Sequence, residues 1–108
     1  MISGSWIEDA KNRLEGKIKK TPLTYDSNLD VYLKWENHQN TGAFKIRGAL
    51  NKTLSLETWE QERGLVAASA GNHGLGVAYT ARLLGTKATI FIPENSVENK
   101  EKMMLAYG

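Results

Sequence analysis

Cysteine is absent from this 108-residue chain, which excludes disulfides, thiolate metal sites and a cysteine nucleophile and fits a reducing compartment. Proline occurs only at 22 and 93, and no low-complexity stretch or internal repeat is present. No apolar run approaches the roughly 18 residues of a membrane span. Met1-Ile2-Ser3-Gly4 lacks the charged head and apolar core of a signal peptide. Neither sign of charge dominates: fourteen basic and twelve acidic side chains leave +2, too small a surplus to argue for nucleic acid. Metal ligands are also scarce, because His73 has no second histidine or paired carboxylate at ligand spacing nearby. Hydrophobic residues at 41% and charged residues at 24% are those of an ordinary globular domain.

What remains is an alternation of helical and strand patterns. Ser5-Trp6-Ile7-Glu8 reads as a capping box, followed by Ile7, Ala10, Leu14 and Ile18 at helical steps, with fraying near Gly16. Thr21-Pro22-Leu23 enforces extended chain. Leu29, Val31, Leu33 and Trp35 alternate with polar or half-polar neighbours, predicting a half-buried strand, and Asn37 to Gly42 a polar turn. The spacing then predicts a helix over 44–54, with Phe44, Ala49, Leu50 and Leu54 inward. Leu65 to Ala68 is a short apolar strand. The helix through Val77, Ala78, Ala81 and Leu84 has little charge beyond Arg82, so it should be buried on most faces, and Gly85 should end it. Ala88 to Ile92 is another strand, stopped by Pro93. Ser96 should cap a last helix with Val97, Met103, Met104 and Tyr107 inward. The pattern predicts an α/β fold with an open, mainly parallel sheet and flanking helices.

Two segments carry chemistry. Seven of the ten glycines fall between 42 and 85. Gly71, Gly74 and Gly76 follow a strand and open a helix, where free backbone amides and the helix dipole favour an anion. The spacing matches neither the dinucleotide fingerprint nor a Walker A loop, and a tight strand–helix turn explains it equally well. Lys45 falls in the first turn of the 44–54 helix. There the dipole, and burial beside Phe44, disfavour the ammonium and suit a neutral amine that forms a Schiff base with a carbonyl. A solvated lysine, one of ten, is the plainer reading of the local sequence.

Thr41-Gly42-Ala43-Phe44-Lys45-Ile46-Arg47-Gly48-Ala49 and Ala68-Ser69-Ala70-Gly71-Asn72-His73-Gly74, collinear and in order, resemble the fold-type-II pyridoxal-phosphate enzymes. The closest resemblance is to the threonine/serine dehydratase (threonine ammonia-lyase) and serine racemase branch. It implies that Lys45 carries pyridoxal 5'-phosphate as a Schiff base and moves the substrate α-proton. Phe44 would pack beside the cofactor and Asn72 would hydrogen-bond its 3'-oxygen. The loop Ser69, Ala70, Gly71, Asn72 and His73 would hold the substrate carboxylate. The implied reaction is loss of water from L-threonine or L-serine, giving a 2-oxo acid and ammonia. Racemases of this branch carry a serine where Ala70 stands, so elimination is favoured over racemisation.

The family's phosphate-cradling glycine loop comes later and has no counterpart here. The resemblance therefore implies an N-terminal portion of a catalytic domain, with 1–40 starting the larger domain and 41–108 in the smaller one. Such a portion is expected to be inactive alone. It also implies an amino-acid substrate, no nucleic-acid, membrane or metal partner, a cytoplasmic setting and homo-oligomeric full-length relatives. Serine racemase or another lyase of this fold type is the nearest alternative. A non-catalytic anion- or nucleotide-binding α/β module is the alternative of another class.

Overall fold

The computed structural model describes all of residues 1–108. Helix α1 (Gly4–Leu14) is capped by Ser3, whose hydroxyl accepts the Ser5 amide, so the cap lies two residues before the expected one. Gly16, at φ +72°, then turns the chain away. Strands β1 (Leu23–Asp26) and β2 (Val31–Lys34) form an antiparallel hairpin, with Leu23 opposite Lys34 and Asp26 opposite Val31. Asp26 closes the turn by accepting the amides of Asn28 and Leu29.

A 3-10 turn α2 (Glu36–His38) leads to helix α3 (Lys45–Leu54), and a short helix α4 (Thr58–Glu62) follows. Glu57 and Glu60 form a reciprocal capping box on α4. Strand β3 (Leu65–Ala68) then runs parallel to β4 (Ala88–Phe91) across helix α5 (Asn72–Leu84). Gly85 ends α5 in the left-handed conformation at φ +69°, as its position predicts. Helix α6 (Glu98–Ala106) closes the chain.

The α/β class and the parallel pairing are thus present, as a two-stranded β3–β4 sheet. The strand read over 29–35 lies outside that sheet and is shorter, spanning 31–34 in the hairpin. Its expected inward face is open: Leu29 and Val31 are exposed and Leu33 is half-buried, because no second layer of this chain covers the hairpin.

The core lies between α3 and α5. Ile46, Ala49, Leu50 and Thr53 are the buried stripe of α3, and Phe44, expected inward, is exposed. Helix α5 buries seven residues between Gly74 and Ala81, as its lack of charge predicts. Met104 of α6 packs on Leu75 and Ala78, and Tyr107 meets Tyr79 edge-on at 5.5 Å. Val97 and Met103 are exposed rather than inward, and Val97 instead of Ser96 occupies the cap position of α6 without a side-chain bond.

Coverage is thin. Only 17 of 108 residues are buried, and the accessible surface is 7743 Å². A free-standing domain of 12.0 kDa exposes about 6,000 Å². The radius of gyration, 15.4 Å, likewise exceeds the roughly 13 Å of a compact chain this long. The outer face of the parallel sheet is bare at Val66 and Phe91, although parallel sheets are normally covered on both faces.

Candidate active site

Lys45 is the first residue of α3, and Gly76 of α5 packs against that first turn. A Cβ at Gly76 would stand 3.3 Å from both the N and Cα atoms of Ile46 and 3.4 Å from Ala49 Cβ. The missing side chain lets the backbone of α5 approach the first turn of α3. Asn72 and His73 lie one turn before Gly76 on α5, so the two sequence motifs meet at one end of the helix pair.

A four-residue clamp holds the same end from the other side. Glu36 accepts two hydrogen bonds from Arg47, at 2.9 Å from Nε and 2.7 Å from Nη2. The Thr21 hydroxyl donates to the same carboxylate at 2.6 Å, and Lys34 Nζ donates to the Thr21 carbonyl at 2.6 Å. The paired guanidinium above all, helped by Thr21 and by the nearby Lys34 charge, holds the Glu36 carboxyl at about 2 against the opposing effect of burial. Sequence reading missed this clamp, since Glu36 and Arg47 lie eleven residues apart with no local pattern linking them.

Because the folded-state value lies below the ordinary carboxylate range, the clamp's contribution is full above that range. It is lost as the pH falls toward about 2. Urea unfolding midpoints should therefore drop more steeply over this window in the wild-type chain than in Glu36→Gln. Parallel pH profiles for the two would contradict the assignment.

The loop between β3 and α5 is tied down by its own serine. Ser69 Oγ accepts the amides of Gly71 at 3.3 Å and Gly74 at 3.1 Å, while the Ser69 amide donates to the Phe91 carbonyl at 2.9 Å. The amides of Ala70, Asn72 and His73 are left without an acceptor in the protein. Of the five loop residues, these three offer backbone donors to a ligand, and Asn72 and His73 are exposed.

Gly74 is needed for this arrangement. A Cβ there would lie 2.8 Å from the Ser69 carbonyl oxygen and 2.7 Å from Met104 Cε. The methionine can move aside, but the backbone carbonyl cannot without shifting the loop. Gly74→Ala should gain up to about 1 kcal/mol of helix propensity and lose more to overpacking, roughly 1–3 kcal/mol. Urea unfolding should show net destabilisation, and hydrogen exchange should show faster exchange at 69–71. A stabilised variant would mean that the loop is not held by this contact.

Lys45 is exposed, contrary to the expectation of burial, and its ammonium makes no hydrogen bond or ion pair. Its Nζ stands 5.5 Å from the centroid of the Phe44 ring, which is itself exposed. The end of the helix pair therefore presents a free primary amine, an aromatic ring, the Asn72 side chain and three open amides. A cofactor with an aldehyde and a flat ring, and a substrate with a carboxylate, find complementary groups here. No group of three or more histidine, cysteine or acidic residues is arranged to hold a metal ion.

Comparison with known proteins gives the arrangement its context. The catabolic L-threonine dehydratase TdcB of Staphylococcus aureus is 46% identical over 115 aligned residues, which take in 100% of this chain and 33% of that protein. Among solved structures, maize serine racemase superposes with a TM-score of 0.91 at 34% identity, over 96% of this chain and 33% of its own. A threonine deaminase from T.th. superposes at 0.88 with 41% identity, over 99% of this chain and 35% of its own. The chain spans about a third of the length of these relatives. The family profile described as "Pyridoxal-phosphate dependent enzyme" matches residues 14–108, which include the Lys45 segment, the Ser69–Gly74 loop and every element from β1 to α6, and the chain belongs to that family.

Proposed function

We propose that this chain supplies the lysine and carboxylate-binding half of an active site that eliminates water from L-threonine or L-serine, releasing a 2-oxo acid and ammonia. The observation that carries this reading is that the unpaired amine of Lys45 and the open amides of Ala70, Asn72 and His73 lie at the same end of the α3–α5 pair. When bound, pyridoxal phosphate supplies an electron sink that acidifies the substrate α-carbon.

Lys45 would hold the cofactor through its amine and would take the substrate α-proton on Nζ. Phe44 would flank the cofactor ring, and Asn72 would donate to its 3'-oxygen. The open amides of Ala70, Asn72 and His73 would grip the substrate carboxylate and so orient the α-C–H bond toward Lys45, a contribution of position. At Ala70 a methyl offers no proton to the opposite face. Elimination is therefore favoured over racemisation, with serine racemase chemistry the nearest alternative because that fold superposes so closely. Residues 41–108 are assigned to the smaller domain of the complete enzyme and 1–40 to the start of the larger one. A cytoplasmic, homo-oligomeric complete enzyme is part of the same reading. No helix is long and apolar enough to cross a membrane.

No second glycine-rich loop is present in residues 1–108 to cradle the phosphate end of the cofactor, so turnover is assigned to this chain joined with the portion of its relatives that it does not span. The test is to combine the chain with the portion of the S. aureus dehydratase that it does not span, and with pyridoxal phosphate. Borohydride should trap a pyridoxyl group on Lys45, and threonine should yield 2-oxo acid. Tight nucleotide binding that survives Lys45→Ala, with no trapping, would favour a non-catalytic anion-binding module instead.

A further inference from the structure

The positive charge of this chain is concentrated in one place. Residues 11–20 hold five basic and one acidic side chain, whereas the rest of the chain holds nine basic and eleven acidic. The ten-residue stretch is strongly cationic and the remainder is mildly acidic. Such separation within so short a chain calls for a structural account.

The fold wraps this stretch around a cleft of about 660 Å³, a volume typical of small-ligand sites. Lys11 of α1, Lys19 and Lys20 of the following segment, Lys34 of β2 and Arg47 of α3 line it, with Glu15 as the one carboxylate in the wall. Five cations thus converge from four separate parts of the chain. Two of them have acidic partners: Lys11 lies 3.4 Å from Glu8 and Arg47 is committed to Glu36. The other three, Lys19, Lys20 and Lys34, have no carboxylate in ion-pair range.

Much of the wall's backbone, and two of its cations, are fixed before any ligand arrives. The Lys19 amide donates to Gln39 Oε1 at 3.0 Å, and the Lys19 carbonyl accepts from Gln39 Nε2 at 2.9 Å. Gln39 is itself buried, so the segment bearing Lys19 and Lys20 is pinned to the body of the protein. Lys34 is held over the Thr21 carbonyl and Arg47 in the Glu36 clamp. Cations held as Lys34 and Arg47 are lose little freedom on meeting an anion, and the pinned backbone keeps Lys19 and Lys20 within reach of it. Their aliphatic stems supply the apolar part of the walls, along with Leu14 and Ile18. No aromatic ring lines the cleft on which a base could stack, and neither Lys45 nor the 69–73 loop contributes to it.

We propose that this cleft is a second anion site, separate from the candidate active site, that takes a small polyvalent anion of the pyrophosphate or triphosphate class. Several separated point charges suit a ligand carrying several charges along its length, and a single carboxylate could engage only part of the set. This inference is independent of the proposed reaction.

Inorganic triphosphate is the probe. Calorimetric titration of the chain should show one saturable site weakened by salt, and amide shifts should centre on residues 16–21 and 34. The double variant Lys19→Gln/Lys20→Gln removes two exposed, unpaired charges and should weaken binding at least roughly tenfold. Lys87→Gln/Lys102→Gln removes the same charge elsewhere and should leave affinity unchanged. Equal weakening by both double variants would reduce the effect to overall charge and overturn the proposal. So would the absence of saturable binding, or shifts centred on residues 69–74.

Discussion

Leu50→Ala is expected to lower the stability of the isolated chain by about 3 kcal/mol, among the largest effects available to a single core substitution. Leu50 is wholly shielded from solvent on the face of α3 that packs against α5. Truncation there removes the transfer energy of three carbons and leaves a cavity in the one part of the protein that is densely packed. The consequence is larger than the figure suggests. The chain exposes about 1,700 Å² more than a free-standing domain of its mass, so its margin lies toward the low end of the usual 5–15 kcal/mol. Only about 2 kcal/mol would remain, so a few per cent of the variant should be unfolded without denaturant and the urea midpoint should fall by about half or more, as followed by far-ultraviolet dichroism. Leu83→Ala, on the exposed side of α5, should change the midpoint by only about 0.5 kcal/mol. Similar losses for the two would mean that the α3–α5 contact does not form the core.

The same contrast between local and distant causes explains what could be read from the sequence. The α5 helix was legible because its charge-poor run and its terminal glycine are local signals, and both keep their meaning in the fold. The Lys45 and Ser69–Gly74 segments were legible as motifs, and Gly76 brings them to one end of a helix pair. The position of Phe44 was not legible. Its spacing relative to Ala49 allows it on the inner stripe, but Ile46 takes the place against Gly76 and turns Phe44 outward. The period-two pattern at 29–35 marks a strand, yet it cannot say what covers the strand, and within this chain nothing does. Ser5 and Ser96 both read as caps from spacing; Ser3 and Val97 hold those positions because the chain enters each helix elsewhere. The Glu36–Arg47 and Gln39–Lys19 bonds had no sequence signal at all, being made between segments brought together only by folding.

The second large effect concerns Lys45. Replacing it with alanine should abolish cofactor capture in the completed assembly while leaving the chain's own stability within about 0.5 kcal/mol of wild type. The side chain is exposed and makes no hydrogen bond or ion pair, so its removal breaks nothing in the fold. An amine is required to bond the aldehyde, and neither the Lys100 ammonium near Gly71 nor any other lysine lies at the first turn of α3. Lys45→Arg should fail equally, because the guanidinium keeps its charge but is not nucleophilic. Retained capture in Lys45→Ala would move the covalent role to another residue.

The bare outer face of β3–β4 and the open hairpin give the remaining portion of such an enzyme a surface to cover. The most direct measurement is therefore mass spectrometry after borohydride reduction of this chain mixed with pyridoxal phosphate. It is performed with and without the portion of the S. aureus dehydratase that this chain does not span. The account predicts a single pyridoxyl adduct on Lys45 in the mixture, and scattered, unsaturable labelling of exposed lysines in the chain alone. Specific labelling of any lysine other than Lys45 in the mixture, or equal labelling of all ten, would contradict it.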